Sequence, residues 1–278
     1  MILSEKIQLN NGISIPRIAF GTWQIPNDRV MDAAKAALSL GYRHIDTAAA
    51  YENERGVGKA VAESGLRRDE VFITTKIPAE VKTYEAAKAV IAASLKNLET
   101  PYIDLMLIHA PKPWEELFGG SGKTYYAENL AVWKAMEEAV AAGRIHSIGA
   151  SNFEISDLRN IIDHAEIKPA VNQIRVHIGH TPVEVISYCK ANGIVVMAFS
   201  PNATGKLLGH PVVTEIAEKY HVSVPRLSIR YDYQLGLIPL PRSTDPEHIA
   251  ENRNIDFVIS DADMERLAQV EEIQSLDR

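Results

Sequence analysis

Asp46 closes the run Arg43-His44-Ile45-Asp46, and Tyr51 follows it five residues later in the stretch Thr47-Ala48-Ala49-Ala50-Tyr51-Glu52-Asn53-Glu54. A buried acid beside a titratable phenol is a candidate proton-transfer pair. Two more apolar runs end on titratable groups: Val71-Phe72-Ile73-Thr74-Thr75 leads into Lys76, and Leu105-Met106-Leu107-Ile108 leads into His109. Taken singly, a strand-end lysine, histidine or aspartate is more often structural than catalytic. Four titratable groups at or just past three strand ends become informative if the fold gathers those ends at one place.

The elements that must do the gathering are legible as alternating strand-like and helix-like stretches. An opening hairpin is expected, with Ile7 to Leu9 and Ser14 to Pro16 as its arms and Asn11-Gly12 as its turn. Strands are then expected at 17–20, 43–46, 71–75, 103–108, 145–149, 170–174, 194–199 and 237–240, eight in all. Between them run helical periodicities such as Val30-Met31-Ala33-Ala34-Ala37-Leu38, Ala86-Ala87-Val90-Ile91-Leu95-Leu98 and Ala131-Val132-Ala135-Met136-Ala139-Val140. Strict alternation implies parallel strands with right-handed crossovers. The expected fold is therefore α/β, a (β/α)8 TIM barrel with a short N-terminal β-hairpin, over an open doubly wound sheet. The barrel is favoured by the strand count and by reactive residues at strand C-terminal ends, where barrel sites lie.

At 278 residues, 46% hydrophobic and 23% charged, the composition is that of an ordinary globular chain, and residues 1–278 read as one domain. The first residues, Met1-Ile2-Leu3-Ser4-Glu5-Lys6, offer no signal-peptide apolar run, and no membrane association is expected. The lone Cys189 fits a reducing compartment, so a cytoplasmic location is expected. A formal charge of -7 gives no general attraction to nucleic acid. No obligate protein partner is inferred. The loop from about Pro111 to Lys123 is expected to overhang the site.

The order and spacing of Asp46, Tyr51, Lys76 and His109 resemble the catalytic tetrad of the aldo-keto reductases. The likeness continues through Gly143-Arg144-Ile145-His146-Ser147-Ile148-Gly149-Ala150-Ser151-Asn152-Phe153, Ala170-Val171-Asn172-Gln173, Ala198-Phe199-Ser200-Pro201 and Ile238-Pro239-Leu240-Pro241-Arg242-Ser243. It covers nearly the whole chain and is most similar to bacterial members of the 2,5-diketogluconate reductase kind, which reduce small aldehydes, ketones, dicarbonyls or keto sugars. The resemblance implies carbonyl reduction with a nicotinamide cofactor and a small-molecule carbonyl substrate. Tyr51 is the implied proton donor. A free phenol has a pKa of about 10, so a cation is needed to ease phenolate formation. Lys76 is that cation, Asp46 its counter-charge, and His109 the group that orients the substrate oxygen. Two rivals stay open: a lyase using Lys76 as a Schiff-base amine, and a non-catalytic NADPH-binding regulatory subunit on the same fold.

No G-x-G-x-x-G follows a strand, which argues against a Rossmann domain but not against a dinucleotide laid across a barrel mouth. By the resemblance, Ser151, Asn152 and Gln173 hydrogen-bond the nicotinamide carboxamide and Phe199 stacks on the ring. Thr22, Trp23, Asp46, Ser200, Pro201, Ser243, Thr244, Glu251 and Asn252 complete the implied cofactor contacts. A helix is expected to begin with a capping box from Thr244 to Glu247, its N-terminus attractive to phosphate. Where the family usually carries lysine and arginine against the adenosine 2′-phosphate, this chain has Arg242 and His248. Arg242 can bind phosphate through two nitrogens, but an imidazole of pKa about 6.5 is mostly neutral at pH 7. NADPH is the implied cofactor, with measurable use of NADH also expected.

Other features point away from function. Gly119-Gly120-Ser121-Gly122-Lys123-Thr124 ends like a P-loop, but Leu117 occupies the first glycine's place, so triphosphate binding is rejected. His177 and His180 lack a recognisable third ligand, and no metal is expected. Ala110 stands where the family often has tryptophan, so a wider pocket is expected there, lined by Trp23, Ala110, Trp114 and Phe118. Arg175 and Ile178 replace common glutamate and proline, which bears on local loop geometry. The short stretch to Arg278 after the last helical segment suggests little tail over the substrate and loose selectivity.

Overall fold

A computed structural model describes residues 2–120 and 122–273. The opening hairpin pairs β1 (Lys6–Gln8) with β2 (Ser14–Pro16) antiparallel, Ile7 opposite Ile15. Gly12 takes φ +87° in its turn, where a side chain would be strained. Eight parallel strands follow: β3 (Phe20–Gly21), β4 (His44–Asp46), β5 (Phe72–Ile77), β6 (Ile103–Ile108), β7 (Ile145–Ser151), β8 (Val171–Arg175), β9 (Val195–Phe199) and β10 (Ile238–Leu240). Each pairs with the next in chain order from β3 to β10. The seam between β10 and β3 is closed by two backbone bonds, Ala19 N–H to Pro239 O at 3.2 Å and Gly21 N–H to Pro241 O at 3.0 Å. The result is the expected (β/α)8 barrel with its hairpin.

The first strand lies further along than the expected 17–20. Arg17 N–H bonds to Glu5 O and Ala19 serves the seam, so only Phe20 and Gly21 pair with Ile45 and Asp46 of β4. A glycine belongs here because a Cβ on Gly21 would come within 3.3 Å of the Leu240 carbonyl. The β5 strand runs past Lys76 to Ile77, so the lysine is within the strand rather than at its last position.

Alternation along the strands divides the apolar residues into two sets. Phe72, Leu105, Leu107, Val171, Met197, Ile238 and Leu240 form one buried cluster with Leu9 and Ile15 of the hairpin region. These side chains fill the barrel, and the hairpin plugs its floor. Asn10 and Asn11 tie the turn there, donating to the carbonyls of Pro169 and His146 at 2.8 and 3.1 Å. The opposite strand faces, with Ile45, Ile73, Ile77, Met106 and Ile108, join the helices in the larger outer cluster. The helix Asn27–Ser39 contributes Val30, Ala33, Ala34, Ala37 and Leu38, one stripe at helical spacing. Burying each larger aliphatic side chain of this kind contributes about 1.5–3 kcal/mol. With the apolar layers below, inward positions at the strands' C-terminal ends are left for polar groups. Among the described residues no helix is long and apolar enough to cross a membrane.

Candidate active site

Asp46 ends β4, Lys76 is the last inward residue of β5, and His109 directly follows β6, its N–H bonded to Ile77 O at 3.0 Å. Tyr51 sits on a single 3-10 turn, Ala49–Tyr51, that leans back over the mouth. The fold thus brings the four residues together. Lys76 Nζ donates to Asp46 Oδ1 at 2.7 Å, to Thr47 O at 2.8 Å and to Tyr51 Oη at 3.3 Å. The His109 ring meets the Tyr51 ring edge to face, centroids 5.5 Å apart.

Lys76 is fully buried, so its charge survives only through partners. Burial pulls its pKa down, but the charges and hydrogen bonds of Asp46 and Tyr51 outweigh that and raise it. The Tyr51 phenol is raised above its ordinary value by burial, with Lys76 pulling it down and Asp46 pushing it up. His109 is held neutral, well below the ordinary histidine value, by burial and then by the Lys76 charge. At neutral pH the mouth therefore holds an ammonium, a protonated phenol and a neutral imidazole that keeps one N–H.

Residues of the chain that the sequence reading passed over hold this geometry. Asn53 is fully buried, donates from Nδ2 to Thr22 O and Ile25 O at 2.9 and 2.8 Å, and accepts from Thr47 Oγ1 at 2.7 Å. It holds the side chain of Thr47, the residue whose carbonyl receives Lys76. An asparagine before the helix Glu54–Ala62 reads as a cap, yet its side chain makes no capping bond. That missing role is visible only in three dimensions. Glu54, also buried, accepts from Thr75 Oγ1 at 2.7 Å and from Asn97 Nδ2 at 3.2 Å, steadying the outer side of the Lys76 strand.

Of the residues expected at a dinucleotide, those that end or directly follow barrel strands lie along the same mouth. Ser151 of β7 and Gln173 of β8 are direct register partners, and both are buried. Asn152, at φ +58°, donates to His109 O at 2.9 Å and to Ser151 Oγ at 3.2 Å. Gln173 Nε2 donates to Asp46 Oδ2 at 2.7 Å, and no described donor reaches its Oε1. Phe199 ends β9 half-buried against the barrel-filling cluster, and Ser200 (φ +55°) and Pro201 follow it. Thr22 is buried and donates to Asp46 O at 2.9 Å, and Trp23 beside it is half-buried. Beyond β10, Arg242 is exposed and reaches Gln24 Oε1 at 3.3 Å, with Ser243 and Thr244 half-exposed next to it. His248 and Glu251 are exposed on the helix Pro246–Asn252, whereas Asn252 is buried. An open amide acceptor at the mouth and an exposed guanidinium with two hydroxyls at its rim fit a carboxamide and a phosphate respectively.

The capping expectation needs correction. Asp245, not Thr244, caps this helix, its side chain accepting from Glu247 N at 2.8 Å, because Pro246 takes the first helical position. The helix start expected to attract phosphate is therefore already served by a carboxylate, and Arg242, Ser243 and Thr244 remain as the groups that could meet an anion.

Above His109 the expected loop contains a short helix, Trp114–Phe118. Trp114 packs edge-on against His109 at 5.1 Å between centroids and stacks on Phe118 at 5.6 Å, while Ala110 is fully buried. An aromatic wall beside the histidine thus comes from Trp114 despite the alanine at 110. Ser121, within the rejected P-loop-like run, and the terminal stretch 274–278 lie outside the described residues. His177 Nδ1 contacts its neighbour's carbonyl, Ile178 O, at 2.8 Å, and His180 pairs with Glu272 at 2.7 Å.

The Aldo/keto reductase family profile matches residues 17–272. Glyoxal reductase of Bacillus subtilis is 40% identical over 267 residues, covering 95% of this chain and 92% of that protein. The crystal structure of the aldo/keto reductase from Brucella melitensis aligns with a TM-score of 0.87 at 37% identity, covering 96% of this chain and 98% of the other. That of Bombyx mori aldo-keto reductase, in complex with NADP, aligns with a TM-score of 0.86 at 33% identity, covering 97% and 93%. Sequence matches of this extent, on a barrel that superposes almost end to end, settle the lineage: the chain belongs to the aldo/keto reductase family of oxidoreductases.

Proposed function

We propose that this protein reduces small aldehydes, ketones or dicarbonyls to alcohols with NADPH, and that Tyr51 donates the proton. The observation that carries the reading is the contact of Tyr51 Oη with Lys76 Nζ at 3.3 Å, on an ammonium fixed by Asp46 at 2.7 Å.

A reduced nicotinamide, when bound, would supply the hydride. Tyr51 gives its O–H proton to the substrate oxygen as the carbonyl carbon gains the hydride, which leaves a phenolate beside Lys76. The ammonium stabilises that phenolate, and Asp46 with Thr47 O keeps Lys76 aimed at it. His109, held neutral, donates its remaining N–H to the carbonyl oxygen and orients it toward Tyr51. Ser151, Asn152 and the free Gln173 acceptor are assigned to the carboxamide, Phe199 to the ring face, and Arg242 with Ser243 and Thr244 to the ribose phosphate. A raised Lys76 pKa argues against the Schiff-base rival, whose amine must be neutral to attack. The similarity to a glyoxal reductase supports dicarbonyls as the first substrates to try.

The test is loss of reduced-cofactor absorbance with NADPH against methylglyoxal, glyoxal and simple aldehydes, for the wild type and Tyr51→Phe. Proton transfer contributes about 10²–10⁴-fold, so the variant should lose at least about a hundredfold. Cofactor binding without turnover of any carbonyl would instead favour a regulatory role.

A further inference from the structure

Two side chains outside the proposed machinery meet the backbone immediately after His109. Lys82, in the turn leaving β5, donates from Nζ to Ala110 O at 2.9 Å and to Asn129 Oδ1 at 2.9 Å. Asn129, on the helix Tyr126–Ala141, is buried and donates from Nδ2 to Pro111 O at 3.0 Å. Two consecutive carbonyls, the first belonging to the residue after His109, are thereby gripped by one linked pair. We propose that Lys82 and Asn129 act as a clamp that sets the Trp114–Phe118 wall against His109 and so determines selectivity for aromatic carbonyl substrates; they are positioning residues, not catalytic ones.

The grip matters because it meets the chain between His109 and the wall. Pro113 precedes the short helix, and Gly119 and Gly120 follow it, Gly120 at φ +68°. Further ties run through exposed or aromatic groups: Trp114 N–H to Glu80 Oε1 at 3.4 Å, and Tyr125 O–H to Glu116. The ammonium is set in a half-buried place, 5.8 Å from the Tyr125 ring, and burial lowers its pKa to about 8. Its two hydrogen bonds, to Ala110 O and Asn129 Oδ1, offset part of that desolvation, which fits a structural use of the side chain. A neutral amine still donates, so the clamp holds on both sides of that pKa. With Trp114 in a T-shaped contact with His109 and Phe118 stacked on Trp114, an aryl group on a substrate held at Tyr51 and His109 gains an aromatic neighbour, while a methyl group does not.

The inference rests on the carbonyl-reduction reading for its kinetic arm only. The physical arm is hydrogen–deuterium exchange of the whole protein, comparing wild type, Lys82→Met and Asn129→Leu. Exchange in 110–119 should quicken by about tenfold or more in either variant, the scale of losing a charged hydrogen bond, with barrel strands unchanged. In the kinetic arm, the phenylglyoxal to methylglyoxal ratio of kcat/KM with NADPH should fall by about tenfold, the size of one lost aromatic contact. Unchanged exchange in 110–119, exchange rising evenly through the barrel, or both substrates losing activity in equal proportion would each overturn the clamp. If Asn129→Leu proves too unstable to purify, Lys82→Met alone decides, since Lys82 is only half-buried. Wild-type protein that reduces no carbonyl removes the function reading, and the exchange arm still judges the clamp.

Discussion

Gln173 reaches across the barrel mouth to Asp46, its amide nitrogen 2.7 Å from Oδ2, although 127 residues and half the strand order separate the two. Asp46 is therefore held on both oxygens, Oδ1 by Lys76 and Oδ2 by Gln173, and cannot swing away from the ammonium. The glutamine has two functions in prospect, one amide end for the cofactor and one for the tetrad.

Gln173→Leu separates them. A hydrogen bond to a charged group contributes about 1.5–3 kcal/mol, so loss of the Asp46 tether should lower kcat by about tenfold or more. A variant whose NADPH KM rises while kcat stays at the wild-type value would restrict Gln173 to the carboxamide. Steady-state kinetics with cofactor varied at saturating carbonyl decides between the two.

The ion pair beneath Tyr51 makes a stability prediction with a definite sign pattern. Lys76 and Asp46 are both buried, and removing one charge strands the other. Asp46→Asn or Lys76→Met alone should cost about 3–5 kcal/mol, whereas the double variant should recover much of that loss because no unpaired charge remains. Urea unfolding of the four proteins measures the cycle. Additive losses in the double variant would mean that the pair is not coupled in the way its 2.7 Å contact implies.

The barrel was legible because it depends on local signals, whereas the four site residues were singled out by their family-like order and spacing, each alone reading as structural. Apolar runs such as Leu105 to Ile108 mark buried strands, and the reactive groups stand at their ends. What escaped was decided by contacts distant in sequence. Asn53 looks like a helix cap, and only the arrival of Thr22, Ile25 and Thr47 makes it the support of the Lys76 acceptor. The short first strand could not be placed because 17–20 reads as a continuous run, while the seam with Pro239 and Pro241 takes part of its backbone. Lys82 and Asn129 carry no motif at all, and apart from each other their partners are backbone carbonyls, which every residue possesses.

His248 gives the cofactor prediction. It is exposed on its helix beyond Arg242, where the family usually carries an arginine, and an imidazole lacks the forked donors that a guanidinium would offer a 2′-phosphate. NADPH should be preferred to NADH by less than about 10³-fold in kcat/KM, some 4 kcal/mol by the tenfold rule. His248→Arg should raise that preference by about tenfold, chiefly through a lower KM for NADPH. An unchanged ratio in the variant would place the phosphate away from this helix, leaving Arg242 without help from position 248.

Two buried groups outside the tetrad predict opposite pH dependences of stability. His44 is fully buried inside the barrel, bonded to Thr74 Oγ1 at 2.8 Å, and burial pushes its pKa down from 6.5 to about 3. Between those values the unfolded chain binds the proton and the native one does not, so stability falls as pH drops through that window, by at most about 5 kcal/mol. Asp232, on the helix Val224–Gln234, is fully buried, neither carboxylate oxygen has a described hydrogen-bond partner, and burial raises its pKa well above the ordinary range. Here the native state keeps the proton that the unfolded chain releases above about pH 3.9, so this group lowers stability as pH rises. His44→Gln should flatten the acid side of the stability curve, and Asp232→Asn should raise stability at pH 8 more than at pH 4. Thermal unfolding from pH 4 to pH 8 for the three proteins tests both, and parallel curves would mean that neither group titrates differently on folding.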